Sequence, residues 1–321
     1  MKIKFMMAAT LIAAAACNQI QTSEDEKETA GEKDRVTVTV NVSGGASTRA
    51  TGITEANETA LSDTQIFVFD SSGKIESYVK GSNTLNVSTG KKTFVAMVNC
   101  PESLKSVSTK TELMESACLL ENNYADHFEM VGETSQNITA KTTVNLTVER
   151  LVSKVVIEKV TTAFTSSYLA GQTFTINGIY LTNVVSKNNY NMTATSLEWV
   201  NKLKVDSANP AKKVTQDTGL TGTVPYTTKH SFYCFPNACT DDATTATWSE
   251  RHTRLVVDTT LGYYTVKLPV LQRNRVYTIK ELTITKRGSS DPWVDITTAD
   301  ATFSITVKGW ETGNTDANVT I

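Results

Sequence analysis

Val36-Thr37-Val38-Thr39-Val40-Asn41-Val42 sets a valine at every second position, with Thr or Asn between. Successive side chains of an extended chain point to opposite faces, so this stretch reads as a strand with one apolar inward face and one polar outward face. The same grammar continues outward. Ile66-Phe67-Val68-Phe69 is a strand closed by Asp70-Ser71-Ser72-Gly73, a turn sequence, and Lys74 to Val79 returns as a hairpin partner. Further strands are expected at Thr93 to Asn99 and Thr142 to Val148. Beyond Glu149-Arg150 they are expected at Leu151 to Val160, Thr173 to Leu181, Ser231 to Phe235, Arg254 to Asp258, Tyr263 to Leu268, Arg275 to Thr285 and Thr302 to Val307. Helical spacing is confined to Lys110 to Asn122, where Leu113, Ala117 and Leu120 share one side. Short alternating strands separated by turns, in two halves of similar length, predict an all-β chain of two tandem antiparallel β-sandwiches with a minor helix. The boundary is placed at 149/150, giving an N-terminal sandwich over 35–149 and a C-terminal one over 150–321.

The first residues address the chain. Lys2 and Lys4 precede an apolar run from Phe5 to Ala16 that is too short to span a bilayer, which reads as a signal peptide over 1–16. It runs through Ala14-Ala15-Ala16 into Cys17, a pattern that resembles the lipobox of bacterial lipoproteins cleaved before the cysteine. Cys17 is then the lipidated residue, and Asn18 after it permits export to the outer membrane. One acyl chain binds a membrane only marginally, so stable anchoring needs several. Residues 17–34, with Ser23-Glu24-Asp25-Glu26-Lys27-Glu28 at their centre, are too polar to bury a core and read as a tether.

Composition narrows the chemistry. A net charge of -2 over 321 residues, with no dense basic block in the body of the chain, points away from nucleic acid. His127, His230 and His252 have no zinc-ligand spacing, so no metal or other cofactor is expected. The chain has no Gly-x-Ser-x-Gly elbow, phosphate loop or Cys-x-x-Cys pair, and no catalytic residue is assigned. Cys100, Cys118, Cys234 and Cys239 are candidate disulfide partners in an oxidising compartment, with sequence neighbours the first choice; free buried thiols are the alternative. Closing the loop from Cys100 to Cys118 would stabilise by about 3 kcal/mol. Trp199, Trp248, Trp293 and Trp310 are candidates for a sugar-binding platform, set against the commoner role of packing.

Both ends of the chain after the tether alternate. Phe303, Ile305 and Val307 share one face of a C-terminal strand, and Val319 and Ile321 share another beyond Gly309-Trp310-Glu311-Thr312-Gly313. Together with the lipobox, several segments carry a resemblance that spans nearly the whole chain. They are Ser47-Thr48-Arg49-Ala50-Thr51, Glu149-Arg150-Leu151-Val152-Ser153-Lys154-Val155, Ser231-Phe232-Tyr233-Cys234-Phe235-Pro236-Asn237, Leu268-Pro269-Val270-Leu271-Gln272-Arg273-Asn274-Arg275-Val276-Tyr277-Thr278-Ile279 and Ile305-Thr306-Val307-Lys308-Gly309-Trp310. In this order they resemble a fimbrillin of the Bacteroidales type V pili, the FimA and Mfa1-like group.

That resemblance implies transthyretin-like sandwiches and a structural role without enzymatic activity. It implies an outer-membrane lipoprotein precursor that becomes a subunit of an extracellular fimbria. An Arg-specific protease would cut between Arg49 and Ala50 and release the first strand, 35–49, with Val36, Val38, Val40 and Val42. The donor strands of a neighbouring subunit, drawn from 301–321 and carrying Phe303, Ile305 and Val307 or Val319 and Ile321, would fill the groove. The implied partners are other fimbrial subunits, the protease, the outer membrane and surface ligands of host or bacterial cells. A tip or accessory adhesin and a monomeric carbohydrate-binding lipoprotein are the competing roles.

Overall fold

The computed structural model describes residues 34–44, 58, 60–192, 198–202, 221–240 and 250–310, and the strand backbone of 315–319. The chain is all-β. Its first half contributes β1 (Arg35–Gly44), β2 (Thr64–Phe69), β3 (Ile75–Lys80), β4 (Thr84–Ser88), β5 (Gly90–Val98), β6 (Ala117–Leu119), β7 (Met130–Ile138) and β8 (Thr142–Arg150). The second half adds β9 (Ser153–Ile157), β10 (Val160–Thr162), β11 (Thr175–Thr182), β12 (Val184–Asn189), β13 (Glu198–Val200), β14 (Gly222–Thr223), β15 (His230–Cys234), β16 (Arg254–Thr259), β17 (Gly262–Lys267), β18 (Arg275–Ile284), β19 (Ala301–Gly309) and β20 (Thr315–Val319).

A seven-stranded sheet runs β3-β2-β5-β7-β8-β1-β4 and uses only strands that precede Ser153. It curls until its end strands β3 and β4 meet. From Ser153 onward a six-stranded sheet runs β15-β9-β18-β19-β20, with β10 also on β18, and a four-stranded sheet runs β14-β11-β16-β17. A small sheet, β13-β12-β6, draws on both halves. Most neighbours are antiparallel, but β1 lies parallel to β8, and β9 and β10 lie parallel to β18. Hairpins cannot make parallel pairs; these strands meet over long stretches of intervening chain, which permits them.

Local chemistry explains the hairpin between β2 and β3. Gly73 takes φ +79, the left-handed region where a Cβ is penalised, and its N–H donates to Asp70 O at 3.0 Å. The Asp70 carboxylate accepts from Ser72 N at 2.8 Å and Lys74 N at 3.1 Å, closing the turn. The Ser72 hydroxyl, which donates to the same carboxylate at 2.7 Å, is the main reason that carboxyl is held below its ordinary value.

One expectation about local structure is corrected. The helix expected over Lys110 to Asn122 stops after α1 (Lys110–Glu115). Thr109 caps its start, accepting from Glu112 N at 3.1 Å, and Ser116 turns extended at its end. Ala117 to Leu119 then leave helical geometry to pair with Asn189 to Lys187 of β12, because a ladder in the core outweighs a weak local periodicity. A second short helix, α2 (Ser167–Ala170), precedes β11. Strand β7 had no apolar signal, since Glu133 to Asn137 are polar, yet it pairs with β5 along its whole length. Gly132 is required there: a Cβ would stand 2.1 Å from Thr147 O on β8.

Candidate functional site

β1 is enclosed. It is antiparallel to β4 on one side, Val36 opposite Val87 and Val38 opposite Leu85, and parallel to β8 on the other, Val40 opposite Val144 and Val42 opposite Leu146. Val38 and Val40 are fully buried, and Val36 and Val42 pack half-buried against the same core. The opposed side chains Leu85, Val87, Val144 and Leu146 are buried too, so the four valines form the middle row of an apolar stripe. On the outer face Thr37 Oγ1 donates to Asn86 at 3.0 Å and Asn41 Nδ2 donates to Asn145 at 3.2 Å, bonds that water replaces at little cost. The ladder to β4 ends early, with Val40 N donating to Asn83 O at 2.8 Å. Past it a cavity of about 640 Å³ opens between Val40 to Val42, the start of β2 at Thr64 and Ile66, and Asn83.

Two fully and two half-buried valines correspond to about 4–9 kcal/mol of gross apolar stabilisation, an upper bound because the unfolded chain is itself partly collapsed. That is a large part of a domain's net stability. Removing β1 would also leave β4 and β8 with unpaired ladder edges around an apolar slot.

The C-terminal candidates divide. Phe303, Ile305 and Val307 lie on β19, which pairs with β18 on one edge and β20 on the other; Ile305 is buried and its two neighbours are half-buried. Among the described residues β20, which Val319 ends, pairs with β19 alone and forms the edge of the sheet. Cys17, Arg49, Ala50 and Ile321 lie outside the described residues.

A buried polar cluster, unassigned in the sequence, joins the two halves. Glu58 is fully buried. Its Oε1 accepts from Lys154 Nζ at 2.5 Å and Tyr233 OH at 2.7 Å, and its Oε2 accepts from Trp310 Nε1 at 3.0 Å. Its carbonyl oxygen accepts from Arg150 Nε at 2.9 Å, and the Arg150 guanidinium lies 4.6 Å from the centre of the Trp310 ring. Trp310 stacks on Tyr233 at 5.8 Å and meets the edge of Phe128 at 5.4 Å. Glu58 thus ties β9, β15 and the residue after β19 through its carboxylate, and the end of β8 through its backbone carbonyl. The visible signal was Lys154, a charge inside the apolar run Leu151-Val152-Ser153-Lys154-Val155-Val156-Ile157; nothing marked Glu58.

Other groups are structural. Glu129 is buried and accepts from Asn123 Nδ2 and Tyr190 OH, both at 3.1 Å; burial pushes its carboxyl up. Cys100 and Cys118 adjoin it, and burial raises both thiols. All four described cysteines are free thiols. Trp199 and Trp310 are buried and offer no sugar platform, Trp293 is 39% exposed, and Trp248 lies outside the described residues.

No family model matches the sequence, and no curated protein sequence matches it. Solved structures share its fold. A candidate cell adhesion protein from Parabacteroides distasonis superposes with a TM-score of 0.61 at 13% identity, over 87% of this chain and 100% of that one. A fimbrilin, FimA, from Porphyromonas gingivalis W83 gives 0.57 at 15% identity, over 86% and 97%. The tip fimbrial protein Mfa3 from Porphyromonas gingivalis gives 0.55 at 13% identity, over 86% and 100%. The fold is therefore one that these Bacteroidales fimbrial and cell adhesion proteins share, over 86–87% of this chain.

Proposed function

We propose that this chain is a structural subunit of a bacterial cell-surface fimbria, built by β-strand exchange. The observation that carries this is the seat of β1: a terminal strand buried between β4 and β8, followed directly by the segment that holds Arg49. The fold shared with fimbrial proteins supports it. In this reading Cys17 carries the lipid that holds the precursor at the outer membrane, and an Arg-specific protease cuts between Arg49 and Ala50. β1 then leaves, and an edge strand from the C-terminus of a neighbouring subunit enters between β4 and β8. Of the two C-terminal strands, β20 suits the donor role, since among the described residues it has one partner to lose where β19 has two. Donor at one end and acceptor at the other give a heterologous contact that does not close, so the product is a filament. A terminal strand able to donate favours a stalk position over a tip.

The test is to treat the purified precursor with an Arg-specific protease, sequence the new N-terminus and run unboiled samples on SDS gels. A start at Ala50 together with SDS-resistant ladders, both abolished by Arg49→Ala, is the expected result. Clean cutting at Arg49 with the product staying monomeric rejects the assembly and leaves a monomeric surface lipoprotein.

A further inference from the structure

We propose that Trp310 is the fixed root of the exchanged arm, so that only residues beyond it leave the subunit, while β19 stays in place and Glu58 holds the root. The inference rests on the strand-exchange reading and adds where the moving part begins and what restrains it.

Three observations converge on Trp310. Its backbone is pinned, because its N–H donates to Asn274 O at 2.9 Å, and Asn274 N–H in turn donates to Val152 O at 2.9 Å. Its side chain is 3% exposed and is held on every described side, by Glu58, Tyr233, Phe128 and Arg150. The strand before it is interior: β19 runs against β18 from Ala301↔Ile284 to Gly309↔Arg275, and withdrawing it would bare the buried Ala301 and Ile305 and strip β18. By contrast, among the described residues β20 has β19 as its single neighbour, with a register shift near Lys308.

The length of the arm fits the slot. Residues 311–321 reach about 36 Å when extended, and the valine row of β1 from Val36 to Val42 spans about 20 Å. Thr315, Ala317, Val319 and Ile321 stand at every second position of the sequence, the spacing of Val36, Val38, Val40 and Val42. An arm rooted before Ala301 would carry Trp310 out of its buried seat and leave Glu58 and Lys154 with fewer partners in the interior, an outcome that buried charges oppose. The residue behind the cleavage segment and the root of the donor arm therefore share one buried carboxylate, which holds a subunit's two joining points to the same body.

The test has two arms on the full precursor. In the uncleaved monomer, Trp310→Phe keeps the ring packing but loses the N–H to Glu58; hydrogen exchange should then quicken at least tenfold in β19 near Lys308 and Gly309, with the rest of the six-stranded sheet unchanged. Unchanged exchange there overturns the anchoring. A second variant ending after Trp310 should stay folded and fail to polymerise, whereas unfolding of that truncation argues against a separable arm. In cleaved, polymerising protein, a photo-crosslinking residue at 317 should capture the neighbouring subunit and one at 305 its own subunit. Capture of the neighbour from 305 moves the root ahead of β19 and overturns the proposal. If no polymer forms, the strand-exchange reading fails and the arm has no such role, whatever the monomer shows about the Trp310 anchor.

Discussion

Glu58 and Trp310 are hydrogen-bonded, Oε2 to Nε1, at 3.0 Å, although 252 positions separate them in the chain. The same carboxylate accepts from Lys154 and Tyr233, so the contact closes a buried charged cluster. Its energetics are asymmetric. Removing one member leaves an uncompensated buried charge, whereas removing the charge pair together does not.

Glu58→Ala is accordingly expected to destabilise the uncleaved chain by about 3–5 kcal/mol, and Glu58→Leu combined with Lys154→Met to recover most of that loss. Urea denaturation of the single and double variants measures it. A cost below about 1 kcal/mol for Glu58→Ala would show that the cluster does not hold the two halves.

Val38 sits at the centre of the β1 row, fully buried opposite Leu85 and Thr142. Val38→Asn should lower precursor stability by about 2–4 kcal/mol, through lost apolar burial and an amide set in an apolar slot. Once β1 has been cut away the same substitution should be silent, so polymers from parent and variant should resist SDS equally. Unequal polymers would mean that β1 remains in the filament.

Glu129 gives the stability a pH dependence of its own. Burial raises its folded-state value above the ordinary 4.5, despite hydrogen bonds from Asn123 and Tyr190 that favour the charged form. As pH rises through 4.5 the unfolded chain releases this proton first, so the folded chain holds more protons and stability falls until the folded value is passed. Glu129→Gln retains the shape and should remove this fall. Melting temperatures of parent and variant from about pH 4.5 to about pH 8 should diverge; parallel curves refute the assignment.

Gly132→Ala places a Cβ 2.1 Å from the Thr147 carbonyl oxygen, forcing β7 away from β8. Overpacking of this kind costs about 1–3 kcal/mol or more. Gly171→Ala is the control, since its nearest neighbouring atom would be 3.7 Å away, and it should change stability by about 0.5 kcal/mol at most.

Thiol labelling separates the cysteines. Burial raises Cys100 and Cys118 and pushes Cys234 up to about 12, and the thiolate is the reactive form. In native protein lacking the leader through Cys17, a maleimide should modify Cys239, which is half-buried, and reach the other three only after denaturation. Native labelling of Cys100 would contradict the burial described for it.

What the sequence determined by itself is the strand class and much of the strand placement, because these patterns are local: Val36 to Val42 and Arg275 to Ile284 carry their own inward face by alternation, and Ile66 to Phe69 is a short unbroken apolar run, buried on both faces. The turn at Asp70 to Gly73 was likewise legible, being made by side chains within hydrogen-bond reach of their own backbone. Tertiary structure decided the rest. β7 exists because β5 supplies its ladder, and Ala117 to Leu119 are extended because β12 lies alongside. The parallel seat of β1 on β8, the enclosure of β19 and the edge position of β20 are relations between distant strands, to which alternation is blind. Glu58 is the clearest case: alone it reads as an exposed surface charge, and its burial follows from Arg150 and Lys154, Tyr233 and Trp310 arriving from three other parts of the chain to satisfy it.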